Sequence, residues 1–289
     1  MNILVTGCYG QLGSEMRKIA DVRNEHQWLF TDIDTLDICD PEAVEQCFDL
    51  HHIDICVNCA AYTAVDRAEE EPSLAEKVNV TAPRILAECC HRHQTLLIHV
   101  STDYVFDGKG TRPYREDDPT GPTSVYGKTK LDGEKAIQDT GCHYCIVRTA
   151  WLYSSTGKNF VKTMLQLAES RNKLNVVCDQ QGTPTWAADL AHALMGLIDH
   201  YGTRHVQEIF NFTDEGITTW DLFAKAIFEI AGKQCQVNPI TTDQYPTKAT
   251  RPAYSVLDKS KIKETLGIEI PYWKDSLMVC MKEINNEKQ

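Results

Sequence analysis

Short apolar runs alternate with amphipathic stretches along the first 150 residues of the chain. Five runs bounded by polar or turn residues are typical of buried strands: "NILVTG", "WLFTD", "IDICVNCA", "TLLIHVS" and "CHYCIVRTA". The stretches between them space their apolar residues as helices do: "QLGSEMRKIA", "DPEAVEQCFDLH", "PSLAEKVNVTAPRILAECCHRH" and "TSVYGKTKLDGEKAIQ". Asp40 is the predicted N-cap of the second helix, with Pro41 at its first position, and Pro83 predicts a break in the third. This alternation predicts an α/β fold with a doubly wound parallel sheet.

The pattern loosens after Ala150. Helices are predicted at "NFVKTMLQLAESR", "WAADLAHALMGLIDHY" and "TTWDLFAKAIFEIAG", and short strands at "LNVVCD" and "EIFNF". "NPITTDQYPTKATRPAY" is predicted to be a loop, followed by one last helix from about Lys259. We therefore expect a first domain over residues 1–150, completed by elements that return near 174–200. A smaller α+β region over 151–289 is expected to pack directly on it, because no Gly/Ser linker separates them.

Composition narrows the class of protein. The formal net charge of −12 repels nucleic acid on average, so an anionic ligand needs a local site. No apolar run approaches the roughly 18 residues of a membrane-spanning helix. The start, "MNILVTG", lacks a basic segment followed by a long apolar one, which is the pattern of a signal peptide. We expect a cytoplasmic protein that binds neither nucleic acid nor a membrane.

The 12 cysteines lie mostly in apolar stretches of the chain. Two CxxC spacings, Cys56/Cys59 and Cys142/Cys145, fall in predicted strands. Because side chains three apart on a strand face opposite sides of the sheet, neither pair suits a shared metal or a disulfide. We expect buried free thiols.

Three glycines, Gly7, Gly10 and Gly13, lie in "TGCYGQLG", between the first strand and the first helix. Such a turn lets the backbone approach a pyrophosphate at a helix N-terminus, where free N–H groups and the helix dipole favour an anion. The alternative is a tight turn that only packs the helix on the strand. With the alternation of strands and helices, the spacing favours a Rossmann-like dinucleotide site that includes Gln11 and Leu12.

Asp32 follows the second strand, 19 residues after Gly13. An acidic side chain at this point of a Rossmann domain binds the ribose hydroxyls of the adenosine and disfavours a 2′-phosphate. Asp37 and Ile38 are candidates for flanking the adenine. Arg17 and Lys18 could offset a phosphate, so the choice between NADH and NADPH stays open.

Tyr126 and Lys130 in "YGKTK" lie four apart, and therefore on one face of the predicted helix. A phenol has an ordinary pKa of about 10, and a nearby ammonium lowers that value by favouring the phenolate. We therefore expect a lowered pKa for Tyr126 and proton exchange with an alcohol or ketone oxygen. The alternative is a surface helix whose lysine only snorkels.

"STDYVFDG" begins where a buried strand ends, at residues 101–108. The carboxyl ends of parallel strands are where such sheets bind ligands. Thr102 is the candidate for a hydrogen bond to the substrate oxygen beside Tyr126. Asp103 and Tyr104 are candidates for shaping the substrate pocket.

Taken in order, GxxGxxG, "NCAAYTAVD", "STDYVFDG", "YGKTKLDGE" and "RTAWLY" resemble the extended short-chain dehydrogenase/reductases. The motifs cover residues 1–160 densely, and "CDQQGTPT" and "ATRP" extend the resemblance more weakly. The resemblance implies a catalytic triad of Thr102, Tyr126 and Lys130. It implies a cofactor-lining segment with Asn58, Ala60, Ala61 and Thr63. The positions it implies around the sugar nucleotide are Thr63, Val65, Asp103, Tyr104, Trp151, Asn159, Arg251 and Pro252.

Two departures from the family pattern bear on the chemistry. Sugar-nucleotide dehydratases place an Asp-Glu pair after the threonine, whereas Tyr104 follows Asp103 here, which favours simple ketone reduction. Some members form metal-linked dimers through glutamates. Glu15 could correspond to one of these, but Ala188 stands where another is expected, so we expect no metal and leave a homodimer open.

The implied reaction is the NAD(P)H-dependent reduction of the C4 ketone of dTDP-4-dehydro-L-rhamnose to dTDP-L-rhamnose. One alternative is another nucleotide-sugar reductase or epimerase of the same superfamily, since all of them use the triad. The other is a non-catalytic regulatory subunit, resembling that of methionine adenosyltransferase. The complete triad favours an enzyme.

Overall fold

The computed structural model describes residues 1–202 and 204–286. Its strands are β1 (Asn2–Thr6), β2 (Gln27–Thr31), β3 (Ile55–Asn58), β4 (Leu96–Thr102), β5 (His143–Thr149), β6 (Leu152–Tyr153), β7 (Lys173–Val177), β8 (Gln181–Gly182), β9 (Thr185–Trp186), β10 (Gln207–Asn211), β11 (Thr218–Thr219) and β12 (Gln236–Ile240). Its α-helices are α1 (Gln11–Ala20), α2 (Pro41–His51), α3 (Val65–Ala68), α4 (Pro72–Glu76), α5 (Ala82–His93), α6 (Val125–Asp139), α7 (Phe160–Ser170), α8 (Ala187–Tyr201), α9 (Trp220–Ala231), α10 (Ser260–Leu266) and α11 (Trp273–Asn286).

A six-stranded sheet forms the centre of the molecule, in the order β10-β5-β4-β3-β1-β2. Every neighbouring pair in it is parallel. The chain moves from β1 to one side for β2 and to the other side for β3, so the strand order reverses at β1. A reversal of this kind opens a crevice at the carboxyl ends of the strands, where α/β proteins bind ligands. The predicted doubly wound parallel sheet is confirmed.

Both faces of the sheet are covered by helices. One core packs α1, α8 and the residue Ile262 of α10 against side chains such as Val5 and Val147. The other packs α2, α5 and the end of α6 against Leu4 and Ile146. The cysteines follow the same division, with Cys142 in one core and Cys145 in the other. None of the 12 cysteines, all of which lie within the described residues, forms a disulfide. Seven are buried as expected, and the other five are half-buried.

A third core forms outside the sheet, from α7, α9, α11 and β7. Strand β7 pairs with β12, and two further short pairs, β6 with β9 and β8 with β11, connect this region to the sheet. In the segment predicted to return near 174–200, α8 packs on the central sheet beside α1. Strand β10, which follows α8, is the sixth strand of the sheet. Strand β7 belongs instead to the third core.

Two parts of the C-terminal prediction are wrong. The segment Gln236–Ile240, expected partly as loop, is a strand despite Pro239. It pairs with β7 alone, and proline is tolerated on such an edge because its missing N–H is not needed there. The single last helix is two helices, because Gly267 ends α10 in a left-handed conformation, with φ +64.

The predicted break at Pro83 is present as a π-helical turn, Lys77–Thr81, between α4 and α5. Because proline has no N–H, the carbonyl of Asn79 lacks its normal helical donor. The buried Asn79 side chain then turns inward, where its Nδ2 donates to Thr129 Oγ1 of α6 at 3.2 Å. The irregular turn therefore fastens α6 to the neighbouring helix.

A buried ion pair joins α6 to β5. The guanidinium of Arg148 donates to Glu134 through Nε, at 3.0 Å, and through Nη2, at 2.7 Å. The two side chains are 3% and 2% exposed. Ser101 Oγ also donates to Glu134, and Arg148 Nη1 donates to the carbonyl of Glu116 at 3.0 Å. These contacts fix the helix that carries Tyr126 and Lys130 against the sheet.

Removing the cation of this pair should be strongly destabilising. In Arg148→Met, Glu134 remains buried without its partner, and losses of about 3–5 kcal/mol are typical of such changes. Arg92→Met is the matched control, because Arg92 pairs with Glu45 while 52% exposed, and such surface pairs contribute about 1 kcal/mol or less. Urea unfolding monitored by circular dichroism measures both. Equal losses in the two variants would show that the buried pair does not hold α6 in place.

Candidate functional site

The predicted site residues lie at one edge of the sheet, where the parallel strands β1, β3, β4 and β5 end. The segments after these strands supply Gly7–Gly13, Ala60–Val65, Asp103–Tyr104 and Trp151. Helix α6 then brings Tyr126 and Lys130 beside them. Residues far apart in the sequence are thus neighbours at the edge that the strand order opens.

The glycine loop after β1 fits an anionic group of a dinucleotide. Gly7 has φ +64, and a Cβ there would lie 2.7 Å from the backbone nitrogen of Ala60. Only glycine allows the loop to lie this close to the end of β3. Gly10 is the N-cap of α1 and offers no side-chain acceptor, so the N–H groups of the first turn remain available for a phosphate. Leu12 and Gly13 are buried, and can contribute to such a site only through their backbone.

Asp32 lies directly after β2, at the same edge as the glycine loop. Its Oδ2 accepts from the backbone N–H of Tyr9 at 3.0 Å, and its Oδ1 from that of Ile33 at 2.9 Å. The carboxylate is thereby held in one orientation while remaining half-buried. Asp37 accepts from Cys39 N at 2.9 Å, and Ile38 lies in the core, 7% exposed, with little surface left for an adenine.

Arg17 lies near Asp32, on the outer side of the glycine loop. Its guanidinium is 4.6 Å from the ring centroid of Phe30 and 5.6 Å from that of Tyr9, and its Nη2 contacts Cys8 Sγ at 2.9 Å. Two aromatic faces thus hold a cation beside the glycine loop. Tyr9 lies between the two charged groups, since its ring contacts Arg17 and its backbone N–H donates to Asp32.

Thr102, at the end of β4, lies close enough to Tyr126 of α6 for its hydroxyl to affect the phenol. Its Oγ1 also donates to Asp103 Oδ1 at 2.9 Å and accepts from the backbone N–H of Tyr104 at 3.3 Å. Ser124 caps α6 by accepting from Gly127 N at 3.1 Å. The predicted Thr102–Tyr126 pair is therefore built by a strand end and a capped helix start.

The expected lowering of the pKa of Tyr126 is wrong in this geometry. Burial raises the pKa of Tyr126 to about 12, and the nearby Asp103 adds to the rise, while the neighbouring hydroxyl of Thr102 opposes it. Lys130 makes no contribution that offsets the effect, and its amine is held by residues of β4. Its Nζ donates to the carbonyl of Val100 at 2.7 Å.

A chain of buried polar side chains, which the sequence did not reveal, runs from Lys130 beneath this edge. Lys130 Nζ lies 3.2 Å from His99 Nε2, and His99 Nδ1 lies 3.0 Å from Asn58 Nδ2. Asn58 Oδ1 in turn accepts from Thr6 Oγ1 at 2.7 Å. The one available signal was a histidine inside the apolar run "TLLIHV", in a strand that is otherwise buried.

Asp103, Tyr104 and Arg251 lie beside the Thr102–Tyr126 pair. Burial raises the pKa of Asp103 to about 7, and its Oδ2 is buried without a hydrogen-bond partner. The ring of Tyr104 meets that of Tyr126 edge to face, with 5.4 Å between centroids. Arg251 lies near Tyr104 and donates to Asp66 Oδ2 at 2.6 Å, while its buried Nη1 has no partner. A buried acceptor and a buried donor thus lack hydrogen-bond partners beside the Thr102–Tyr126 pair.

Trp151 follows β5 in an unusual backbone conformation, with φ +49. Such a value is strained for a bulky side chain. Its ring stacks on that of Trp220 with 3.5 Å between centroids. Gly182 lies against the six-membered part of the Trp151 ring, where a Cβ would be 2.6 Å from Cε2. The half-buried ring therefore joins the end of β5 to the third core, which contains α7 and α9.

The other predicted residues have the following positions. Asn159 caps α7 and donates to Gln11 Oε1 of the glycine loop at 2.9 Å. Ala60, Ala61 and Val65 are half-buried, Thr63 is exposed and Pro252 is half-buried against Gly108. Glu15 is 2% exposed and pairs with Lys18, and its Oε1 accepts from Ser154 Oγ at 3.0 Å.

The fold and the arrangement of Thr102, Tyr126 and Lys130 define the class of protein: an oxidoreductase of the extended short-chain dehydrogenase/reductase type. The chain belongs to the family described as RmlD substrate binding domain, whose model matches residues 1–286. The resemblance seen in the sequence motifs is thereby confirmed.

Named relatives and solved structures agree with this family. The chain is 41% identical over 283 residues to a dTDP-4-dehydrorhamnose reductase of Aggregatibacter actinomycetemcomitans, covering 95% of this chain and 96% of the relative. It is 40% identical over 287 residues to a probable dTDP-4,6-dihydroxy-2-methyloxan-3-one 4-ketoreductase of Streptomyces antibioticus, covering 98% and 96%. A crystal structure of the Bacillus anthracis dTDP-4-dehydrorhamnose reductase in complex with NADP has a TM-score of 0.93 at 33% identity, covering 98% and 99%.

Asp32→Ala should weaken the binding of NADH more than that of NADPH. The lost carboxylate would bind ribose hydroxyls, one of which NADPH lacks, and hydrogen bonds to charged groups contribute enough for about a tenfold loss. Asp34→Ala, in the same exposed loop, is the control. Fluorescence titration of both cofactors gives the dissociation constants. Equal losses for NADH and NADPH would reduce Asp32 to the end of a strand.

Proposed function

We propose that this protein reduces the C4 ketone of dTDP-4-dehydro-L-rhamnose to dTDP-L-rhamnose with NADH or NADPH. The observation that carries the proposal is the buried Thr102–Tyr126 pair at the carboxyl edge of the sheet, in a chain of this family. The relative named dTDP-4-dehydrorhamnose reductase supports the substrate, and the NADP complex of the Bacillus anthracis protein supports the cofactor. The products of the reaction are the C4 alcohol and the oxidised cofactor.

The residues of the glycine loop fit the nicotinamide cofactor. The free N–H groups at the start of α1 would hold its pyrophosphate, and Asp32 the adenosine ribose. Ala60, Ala61 and Thr63 would line its path, with Tyr126 and Lys130 near the nicotinamide ribose. When bound, the cofactor supplies the hydride. The glycine loop is consistent with this use because it lies against Ala60 so closely that a side chain at Gly7 would clash with the Ala60 backbone.

Tyr126 acts as the acid in this reaction. A phenol whose pKa is raised to about 12 by burial keeps its proton at neutral pH, so that proton is available when the ketone oxygen gains charge. Thr102, which lies beside the same phenol, would orient the ketone oxygen. The sequence-based view of Tyr126 as an easily ionised group is replaced by that of a protonated donor.

Asp103 and Arg251 account for substrate recognition. The unpartnered Oδ2 of Asp103 can accept from a sugar hydroxyl, and the unpartnered Nη1 of Arg251 can donate to a hydroxyl or a phosphate oxygen. Buried polar atoms without partners are costly, so a ligand that satisfies them binds more tightly. Tyr104, Trp151 and Asn159 would complete the pocket.

The relative from Streptomyces antibioticus favours a second candidate substrate, a related dTDP-linked 4-ketosugar. Both candidates require the same reduction at C4 and differ only in the sugar. A regulatory subunit would have no need of the buried Thr102–Tyr126 contact. Comparing turnover of the two ketosugars decides between the substrates.

The nucleotide sugar is the one partner that this proposal requires. The described residues contain no helix long and apolar enough to cross a membrane. A cytoplasmic location and a homodimer remain predictions from the sequence.

Tyr126→Phe should retain NADPH binding and lose about 10²- to 10⁴-fold in ketone reduction, because it removes the proton donor and little volume. Tyr144→Phe is the matched control, since Tyr144 is a buried phenol of β5 that lies in the core. The measurement is oxidation of NADPH in the presence of the ketosugar. Near-normal turnover of Tyr126→Phe would remove this tyrosine from the proposed role.

Trp151→Ala should raise the KM for the sugar nucleotide and leave NADPH affinity nearly unchanged, because a flat ring there packs against the hexose. Trp220→Ala removes the other half of the stack and is the control. Kinetics and urea unfolding are measured for both. If both variants lose similar stability and neither changes the KM, Trp151 serves packing alone.

A further inference from the structure

The buried chain of Thr6, Asn58, His99 and Lys130 crosses three neighbouring strands and reaches α6. None of its members is more than 2% exposed. Of the four, the proposed function uses only Lys130. The hydrogen-bond geometry determines what the other members do to it.

The amide of Asn58 has one permitted orientation. Its Oδ1 accepts from the backbone N–H of Ala60 at 3.1 Å, and a backbone N–H can only donate. Reversing the amide would place its NH₂ group against that donor. Nδ2 therefore faces His99 Nδ1, at 3.0 Å. Because an amide NH₂ has no acceptor, His99 Nδ1 must supply the lone pair.

The tautomer of His99 follows from this contact. Burial, which penalises the charged imidazolium, holds the pKa of His99 well below its usual range, so the ring is neutral. A neutral imidazole carries one proton, and with Nδ1 accepting, that proton is on Nε2. Nε2–H then points to Lys130 Nζ, 3.2 Å away.

The protonation state of Lys130 is constrained in turn. An ammonium has three donors and no lone pair, so it would face Nε2–H donor to donor. A neutral amine has a lone pair that accepts from Nε2–H while one of its own N–H groups donates to the carbonyl of Val100 at 2.7 Å. Burial also lowers the pKa of Lys130 to about 8.

The titratable and charged groups around Lys130 affect its pKa as follows. Glu134, one turn further along α6, raises the pKa of Lys130, but its carboxylate is itself paired with Arg148 of β5. Tyr126, one turn earlier, and Asp103, after β4, are the titratable groups at the sheet edge. His99 is the contact from β4, and its fixed donor favours the neutral amine.

We propose that His99 is a positioning residue that donates a hydrogen bond from Nε2 to the amine of Lys130 and so favours the neutral amine. Asn58 sets the tautomer that makes this possible. The inference rests on the proposed function only for its consequence, which is that the ionisation of Lys130 near neutral pH affects the rate of reduction. The hydrogen bond itself is a property of the protein alone.

The first test is made on the wild-type protein without substrate. Nitrogen-15 NMR of its histidines, with His99 assigned from a His99→Gln variant, shows which ring nitrogen is protonated. We expect the proton on Nε2 and a lone pair on Nδ1. A proton on Nδ1 would overturn the proposal. The tautomer is read from the wild-type protein, and the variant serves only to assign the His99 signals.

The second test follows the titration of Lys130 by NMR of ¹³Cε-labelled lysine, assigned with Lys130→Arg. In His99→Leu the donor is lost, and the midpoint of Lys130 should rise by about one pH unit, which is a tenfold change in its ionisation equilibrium. His143→Leu is the control and should leave that midpoint unchanged. His143 is the first residue of β5, and the site lies beyond the carboxyl end of that strand. An unchanged midpoint in His99→Leu would contradict the proposal.

Kinetics separate this inference from the proposed function. The pH profile of kcat for the ketosugar should shift with the Lys130 midpoint in His99→Leu, and His143→Leu should follow the wild type. If the wild type fails to reduce the ketosugar while the NMR results hold, the proposed function is wrong and the hydrogen bond stands. If the wild type is active but the Lys130 midpoint is the same in both proteins, the role of His99 is wrong.

Discussion

The burial of the Lys130 amine at the carboxyl edge of a parallel sheet is the constraint on which the rest of the site depends. A lysine that is 2% exposed must have hydrogen-bond partners or lose its charge. The chain provides both solutions, through the carbonyl of Val100 and the ring of His99. Because these partners belong to β4, the amine is held toward the sheet, and Tyr126 keeps its proton. The site therefore separates a phenol that holds its proton from an amine whose pKa is lowered to about 8.

This arrangement requires that α6 lie very close to its neighbours. A side chain at Gly127 would meet the carbonyl of Tyr104, and one at Gly133 would meet that of Asn79. The π-helical turn that Pro83 produces supplies Asn79, and the Glu134–Arg148 pair fixes the same helix to β5. Backbone irregularity, small residues and a buried ion pair thus serve one purpose, which is to place Tyr126 beside Thr102.

The sequence predicted those parts that depend on local pattern. The alternation of apolar runs and amphipathic stretches gave the sheet and its helices, and the spacing of Gly7, Thr102 and Tyr126 indicated the edge where they meet. It could not predict the direction of the Lys130 amine, since that depends on His99, 31 residues away in the sequence. The predicted lowering of the pKa of Tyr126 was wrong for a related reason: burial raises this pKa, and burial is a property of the assembled fold. The strand at Gln236–Ile240 was missed because its proline is acceptable only on an edge that tertiary pairing defines.

The central claim is that this edge of the sheet reduces a dTDP-linked 4-ketosugar. The most direct measurement supplies the wild-type protein with dTDP-4-dehydro-L-rhamnose and either NADH or NADPH, and identifies the sugar product by NMR. The account predicts oxidation of the cofactor in equal amount to dTDP-L-rhamnose formed. A folded protein that binds the cofactor and the nucleotide sugar, yet leaves both unchanged, would contradict it.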